Sequence, residues 1–131
     1  MSISFIMIFF LLVFSTMLFQ FPIEKIDGHA NPIAYLPLPN STIDKSVDNP
    51  FNVTILFSEK PEPKLGHIRV TNSNNERIDN NDYAVIGGNN NGAMVTLDED
   101  RLSNGIYFVS WLTVSQGSGL ITKGSYNFTV K

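Results

Sequence analysis

A chain of 131 residues with no cysteine and a net charge of -3 has room for one domain with a single modest core. It excludes a multidomain arrangement, a disulfide framework and a thiolate metal site. No cluster of Lys and Arg is present, so the basic stripe that displaces phosphate counterions is missing and nucleic acid is excluded as a partner.

The chain opens on MSISFIMIFFLLVFSTMLFQFP, an uncharged run rich in Ile, Phe, Leu and Met. At about 1.5 Å per helical residue, Ile3 to Phe21 is long enough to cross a hydrocarbon core of ~30 Å. A buried core helix of this length would show a polar face, and here only scattered Ser, Thr and Gln interrupt the run. The segment therefore predicts a hydrophobic helix that targets the chain to a membrane, as a cleaved signal peptide or a retained anchor. The basic residues that usually precede a signal peptide are missing and the run is long, so both readings stand. Small residues suited to cleavage are Gly28 and Ala30. A cut after Gly28 makes His29 the amino terminus, and a cut after Ala30 discards it. The expected division is a targeting segment with a short linker over 1–28 and a folded domain over 29–131.

Beyond Pro22 the linker IEKIDGHANP leads into a region punctuated by Pro, Asn and Gly, with no pattern of a helix. Short alternating runs between turn signals predict an all-β sandwich or barrel of about seven antiparallel strands. Residues 33–38 contain Pro37 and are flanked by Pro32 and Pro39, which suits an edge strand. In FNVTILF, Phe51, Val53, Ile55 and Phe57 share one face, because side chains alternate along a strand. HIRVT puts Ile68 and Val70 inward and leaves His67 and Arg69 outside. A less marked strand falls over 83–86, and AMVTL turns Ala93, Val95 and Leu97 inward. GIYFVSWL groups Tyr107, Val109 and Trp111, and SYNFTV groups Tyr126, Phe128 and Val130. These two strands anchor an aromatic core, with Trp111 expected among Phe51, Ile55, Tyr107, Val109, Tyr126 and Phe128. Between them SQGSGLITKG, residues 115–124, is expected to be a soft connection. The asparagines crowded over 72–91 are read as turn residues, since Asn tolerates left-handed backbone.

Catalytic chemistry finds little support. A triad needs a nucleophile, a base in reach and a group that orients the base, and the chain has only two histidines, His29 and His67. His67 sits mid-strand on an exposed face with no acid or serine spaced to serve it. VIGGNNNG precedes a strand, so its glycines lack the helix N-terminus that helps bind phosphate, and they make a hairpin turn. Asp98, Glu99 and Asp100 match no calcium-loop spacing and are read as a solvated turn. Sequons at Asn40, Asn52 and Asn127 are glycan acceptors if the domain enters a glycosylating compartment. His29 stands apart because it marks the junction of targeting segment and domain. If processing exposed its amine, that nitrogen and the imidazole would chelate copper(II), an ion that favours nitrogen donors in tetragonal geometry.

Several stretches together carry a resemblance: HANPIAYLPLPNSTI at the start, VTILFSEKPEP in the middle, and GIYFVSWLTVS followed by GLITKGSYNFTV at the end. Over residues 29–131 the chain resembles the CopC family of exported copper-binding domains. The resemblance implies an immunoglobulin-like, Greek-key β-sandwich outside the cytoplasm that carries or buffers copper(II) and is not an enzyme. It also implies a membrane copper transporter or another cuproprotein as partner. In that family a histidine at the mature amino terminus supplies amine and imidazole, which His29 matches. An Asp-x-His motif in the last long loop supplies further ligands, but here Ser118, Gly119 and Leu120 fall in those places. Glu59, at the end of LFSE, matches a carboxylate found near the family copper. The ligands expected here are thus His29 and Glu59, giving weaker copper(II) binding than a complete site. A methionine-rich copper(I) site is not expected, because only Met94 lies in the domain. The alternative is a β-sandwich interaction module that kept the fold and lost the metal. A copper oxidase would need a second imidazole beside His29, and nothing in the sequence brings His67 there.

Overall fold

The computed structural model describes residues 27–48 and 51–131. The expected targeting helix lies outside the described residues. Within them, two four-stranded sheets pack face to face. The strands are β1 (Pro32–Leu36), β2 (Thr42–Ile43), β3 (Asn52–Phe57), β4 (His67–Thr71), β5 (Ala84–Ile86), β6 (Gly92–Thr96), β7 (Gly105–Val114) and β8 (Ile121–Val130), with a 3₁₀ turn over Glu99–Arg101. One sheet has the order β1-β3-β6-β5 and the other β2-β8-β7-β4.

The alternation in the sequence explains the packing. Val53, Ile55 and Phe57 of β3 and Ala93 and Val95 of β6 are buried from one sheet. They meet Ile68 and Val70 of β4, Tyr107, Val109 and Trp111 of β7, and Phe128 and Val130 of β8. The inward residues of each sheet form a continuous apolar face, so the two faces cover each other. His67 and Arg69 lie outside, as the alternation requires. Proline-bearing β1 pairs with β3 alone and occupies an edge, where a missing N–H costs no ladder bond.

Four details differ from the sequence expectation. There are eight strands rather than about seven, because β2, only two residues long, is too short to show an alternation. The sandwich is not wholly antiparallel, since β2 runs parallel to β8. Ile121 to Gly124 belong to β8 and pair with Val114 to Trp111, so the connection over 115–124 shrinks to its first part. Gly124 is in the strand because the Trp111 ring lies over it: a Cβ there would stand 2.7 Å from Trp111 Cζ2. Finally, Trp111 packs edge-on against Phe57, with ring centroids 5.6 Å apart, while Phe51 is only half-buried just ahead of β3.

The asparagine-rich stretch does serve turns. Asn72 Oδ1 accepts from the backbone N–H groups of Asn74 and Glu76, and Asn75 and Asn90 take positive φ values of 63° and 54°. Asp98 caps the 3₁₀ turn by accepting from Asp100 N–H, which leaves the acidic run as a solvated turn.

Candidate metal-binding end of the sandwich

The hairpin joining β7 to β8 closes through Ser115 N–H to Leu120 O at 2.9 Å and Gly119 N–H to Ser115 O at 2.8 Å. Gly119 takes φ +74°, a conformation that favours glycine. Within this loop Ser118 Oγ accepts from Leu120 N–H at 3.2 Å and donates to the carbonyl of Gly28. Gly28 sits flush on the loop, since a Cβ there would lie 3.1 Å from both Leu120 Cδ1 and Ser118 Cβ. The two positions that fall in the places of the family's ligand motif thus face the segment leading into His29.

That segment is pinned from its other side by the end of β3. Ser58 Oγ donates to the His29 carbonyl at 3.3 Å and accepts from Asn31 N–H at 3.0 Å, and Ser58 N–H donates to Asn31 O at 2.8 Å. Ala30, 0% exposed, plugs into the core between these contacts. His29 itself points outward: its side chain is 44% exposed and that of Asp27 60%. His29 Nδ1 lies 2.8 Å from Asp27 Oδ1, and His29 N–H donates to the same oxygen at 3.1 Å. An ionised carboxylate only accepts, so Nδ1 carries the proton in this pair. Asn31 Nδ2 donates to Asp27 Oδ2 at 2.7 Å. The His29 backbone N–H, its ring and the Asn31 amide together hold the Asp27 carboxyl below the usual carboxylate range.

Glu59, the residue after Ser58, is half-buried and turned toward the base of the same loop, where Ser115 Oγ donates to Glu59 Oε2 at 3.0 Å. Backbone bonds from Glu62 N–H to Val114 O and from Gln116 N–H to Lys60 O fasten the two segments together. His29, Glu59, Ser118 and Leu120 are therefore gathered at one end of the sandwich through Gly28, Ser58 and Ser115. His67 is not part of this group, lying on the outer face of β4 beside Leu112 and Lys123. Asp27 is the residue that sequence reasoning misses. It falls in the short linker assigned to the targeting segment over 1–28, and its spacing of two from His29 is the one signal that points to it. Among the described residues, no group of three or more His, Cys, Asp or Glu is clustered to hold a metal ion.

Residues 37–131 match the family model of the CopC domain. The chain belongs to the CopC family. The matched stretch contains Glu59, Ser118 and Leu120, while His29 lies just ahead of it. Several solved structures share the fold, two of them as follows. CopC from Methylosinus trichosporium OB3b superposes with a TM-score of 0.68 at 21% identity, covering 79% of this chain and 94% of that one. PcoC, a methionine-rich copper resistance protein from Escherichia coli, gives a TM-score of 0.62 at 23% identity, covering 79% of this chain and 99% of the other. No curated protein matches. CopC-family carriers are not enzymes.

Proposed function

We propose that this CopC-family protein is an extracytoplasmic carrier or buffer of copper(II), with a partly degenerate site at the loop end of the sandwich. His29 is the principal ligand and Glu59 an oxygen donor beside it. Residues 1–28 direct the chain to a membrane, and 29–131 form the copper-binding domain, which exchanges its ion with a membrane copper transporter or another cuproprotein in a periplasm-like space or at the cell surface. The observation that carries this reading is the convergence of the His29 segment, the end of β3 and the β7–β8 loop on one another through Ser118, Ser58 and Ser115. An immunoglobulin-like arrangement is supported by Tyr107, near the start of β7. Its hydroxyl donates to Ser103 O at 2.7 Å and accepts from Ser103 N–H at 2.9 Å, like the tyrosine corner of such sandwiches.

The second reading, a metal-free interaction module, is favoured by one feature: Ser118 and Leu120 provide neither carboxylate nor imidazole, and Ser118 is occupied as a clamp on Gly28. Copper(II) titration of the folded domain beginning at His29, followed by calorimetry and electron paramagnetic resonance, separates the two. Copper carriage requires binding of one ion that His29→Ala weakens by tenfold or more. Ser118→Asp combined with Leu120→His tightens it in a His29-dependent way, because the restored groups share that ion. Absence of His29-dependent binding makes the interaction module the function.

A further inference from the structure

We propose that in the chain still carrying residues 1–28, Asp27 is a copper ligand and forms a chelate with His29. The inference rests on the copper reading above and adds to it a carboxylate from outside the loop. Asp27 Oδ1 and His29 Nδ1 are 2.8 Å apart. Two donors in adjacent positions around a tetragonal ion, each with a bond of about 2.0 Å, are separated by about 2.8 Å. The two atoms that now share a proton therefore have the spacing of a chelate, and turning the imidazole aims Nδ1 at a common ion instead of at Oδ1. When copper(II) takes Nδ1, the ring proton passes through solvent to Nε2, so the imidazole stays neutral, no net proton is released and no redox change occurs.

A histidine and a carboxylate two residues apart on a free strand would sample many geometries, and ordering them would offset much of the binding energy. Here the backbone is held on both sides. Ser118 grips the carbonyl of Gly28, the residue between the two ligands, and Ser58 grips the carbonyl of His29. Gly28 fits the seat because it has no Cβ to meet Leu120 and Ser118. Asn31 turns the carboxylate by binding its second oxygen at 2.7 Å, which leaves Oδ1 toward the ring. Ser118 is thereby a positioning residue: where the family resemblance expects a ligand, this chain has a hydroxyl that seats the segment bearing the ligands. The exposure of both side chains leaves positions on the ion open to water and gives a partner direct access for transfer.

The test is copper(II) titration of the full chain in detergent micelles, with intact mass confirming that Asp27 is present, read by competition with a chromophoric chelator and by electron paramagnetic resonance. Asp27→Asn and His29→Ala should each weaken binding by about tenfold or more, and the double variant should lose less than the product of the two single factors, because both groups hold one ion. Asp27→Asn should also alter the copper hyperfine signature while one imidazole nitrogen remains coupled. Ser118→Ala should weaken binding by a smaller factor and leave that signature unchanged. His29-dependent binding that is indifferent to Asp27→Asn overturns the chelate and leaves the copper reading standing. Absence of His29-dependent binding removes both. Recovery of the native protein only as a chain starting at His29 or later also overturns the inference, since Asp27 would then be gone.

Discussion

The β7–β8 arm and the strap over residues 27–31 meet at the same loop, yet different physics holds each of them. The arm consists of two ten-residue strands in continuous register, with Tyr107, Val109, Trp111 and Phe128 buried beneath it. Its position follows from apolar area removed from water, worth about 1.5–3 kcal/mol for each large side chain. The strap has one fully buried anchor, Ala30, and otherwise depends on Ser118, Ser58 and the Asp27 carboxylate. Hydrogen bonds of that kind contribute about 0.5–1.5 kcal/mol each. A region held this lightly can change its side chains without endangering the fold.

The contrast between arm and strap is greatest at Trp111. Trp111→Ala removes the ring packed on Phe57 and over Gly124 and should cost about 3–5 kcal/mol, much of the ~5–15 kcal/mol that holds a domain of this size. Thermal unfolding followed by circular dichroism should show the cooperative transition lost or shifted far down, while His29→Ala leaves it in place. A Trp111→Ala domain that melts like wild type would remove the arm from the core.

Gly124→Ala probes the arm by addition rather than removal. Its Cβ would collide with the indole at 2.7 Å, and overpacking of this kind costs about 1–3 kcal/mol. Chemical denaturation should report the loss, and the Trp111 emission should move as the ring is displaced. The matching change on the strap, Ser118→Ala, should cost at most about 0.5–1.5 kcal/mol, with raised amide exchange confined to residues near Gly28. Global destabilisation by Ser118→Ala would show that strap and arm form one cooperative unit.

The smallest effect is invisible at neutral pH. Burial, with the Tyr35 phenol nearby, pushes the Tyr126 phenol well above its usual range. A raised folded-state value means that the contribution is complete below the unfolded tyrosine value of about 10 and is lost as pH rises beyond it. Stability should therefore fall above pH ~10 and fall less in Tyr126→Phe. The Tyr126 hydroxyl is buried with no hydrogen-bond partner among the described residues, so the substitution should be nearly neutral at pH 7. Denaturation midpoints of both proteins across this pH range provide the measurement.

Much of the arm is legible in the amino-acid sequence, because burying one face of a strand imposes a period of two that GIYFVSWL and SYNFTV display openly. The same rule puts His67 outside, and the missing N–H of proline suits β1 to an edge. Two-residue β2 leaves no such trace, and Gly124 looks like a turn residue because its function is defined by the indole across the sheet. At the site, local pattern and family resemblance single out His29, Glu59, Ser118 and Leu120, but their convergence depends on contacts between residues far apart in the chain.

Side-chain chemistry and short-range periodicity are enough to specify an all-β chain, its inward and outward faces and its aromatic core strands, since each is a property of neighbouring residues. Long-range contacts alone establish that Ser118 clamps Gly28, that Ser115 holds Glu59, that Phe57 rather than Phe51 meets Trp111, and that Asp27 closes on His29. The first three depend on how two sheets and a loop come together in space. The last joins near neighbours, yet its geometry is set by Ser118 and Ser58, which no local reading of the linker contains.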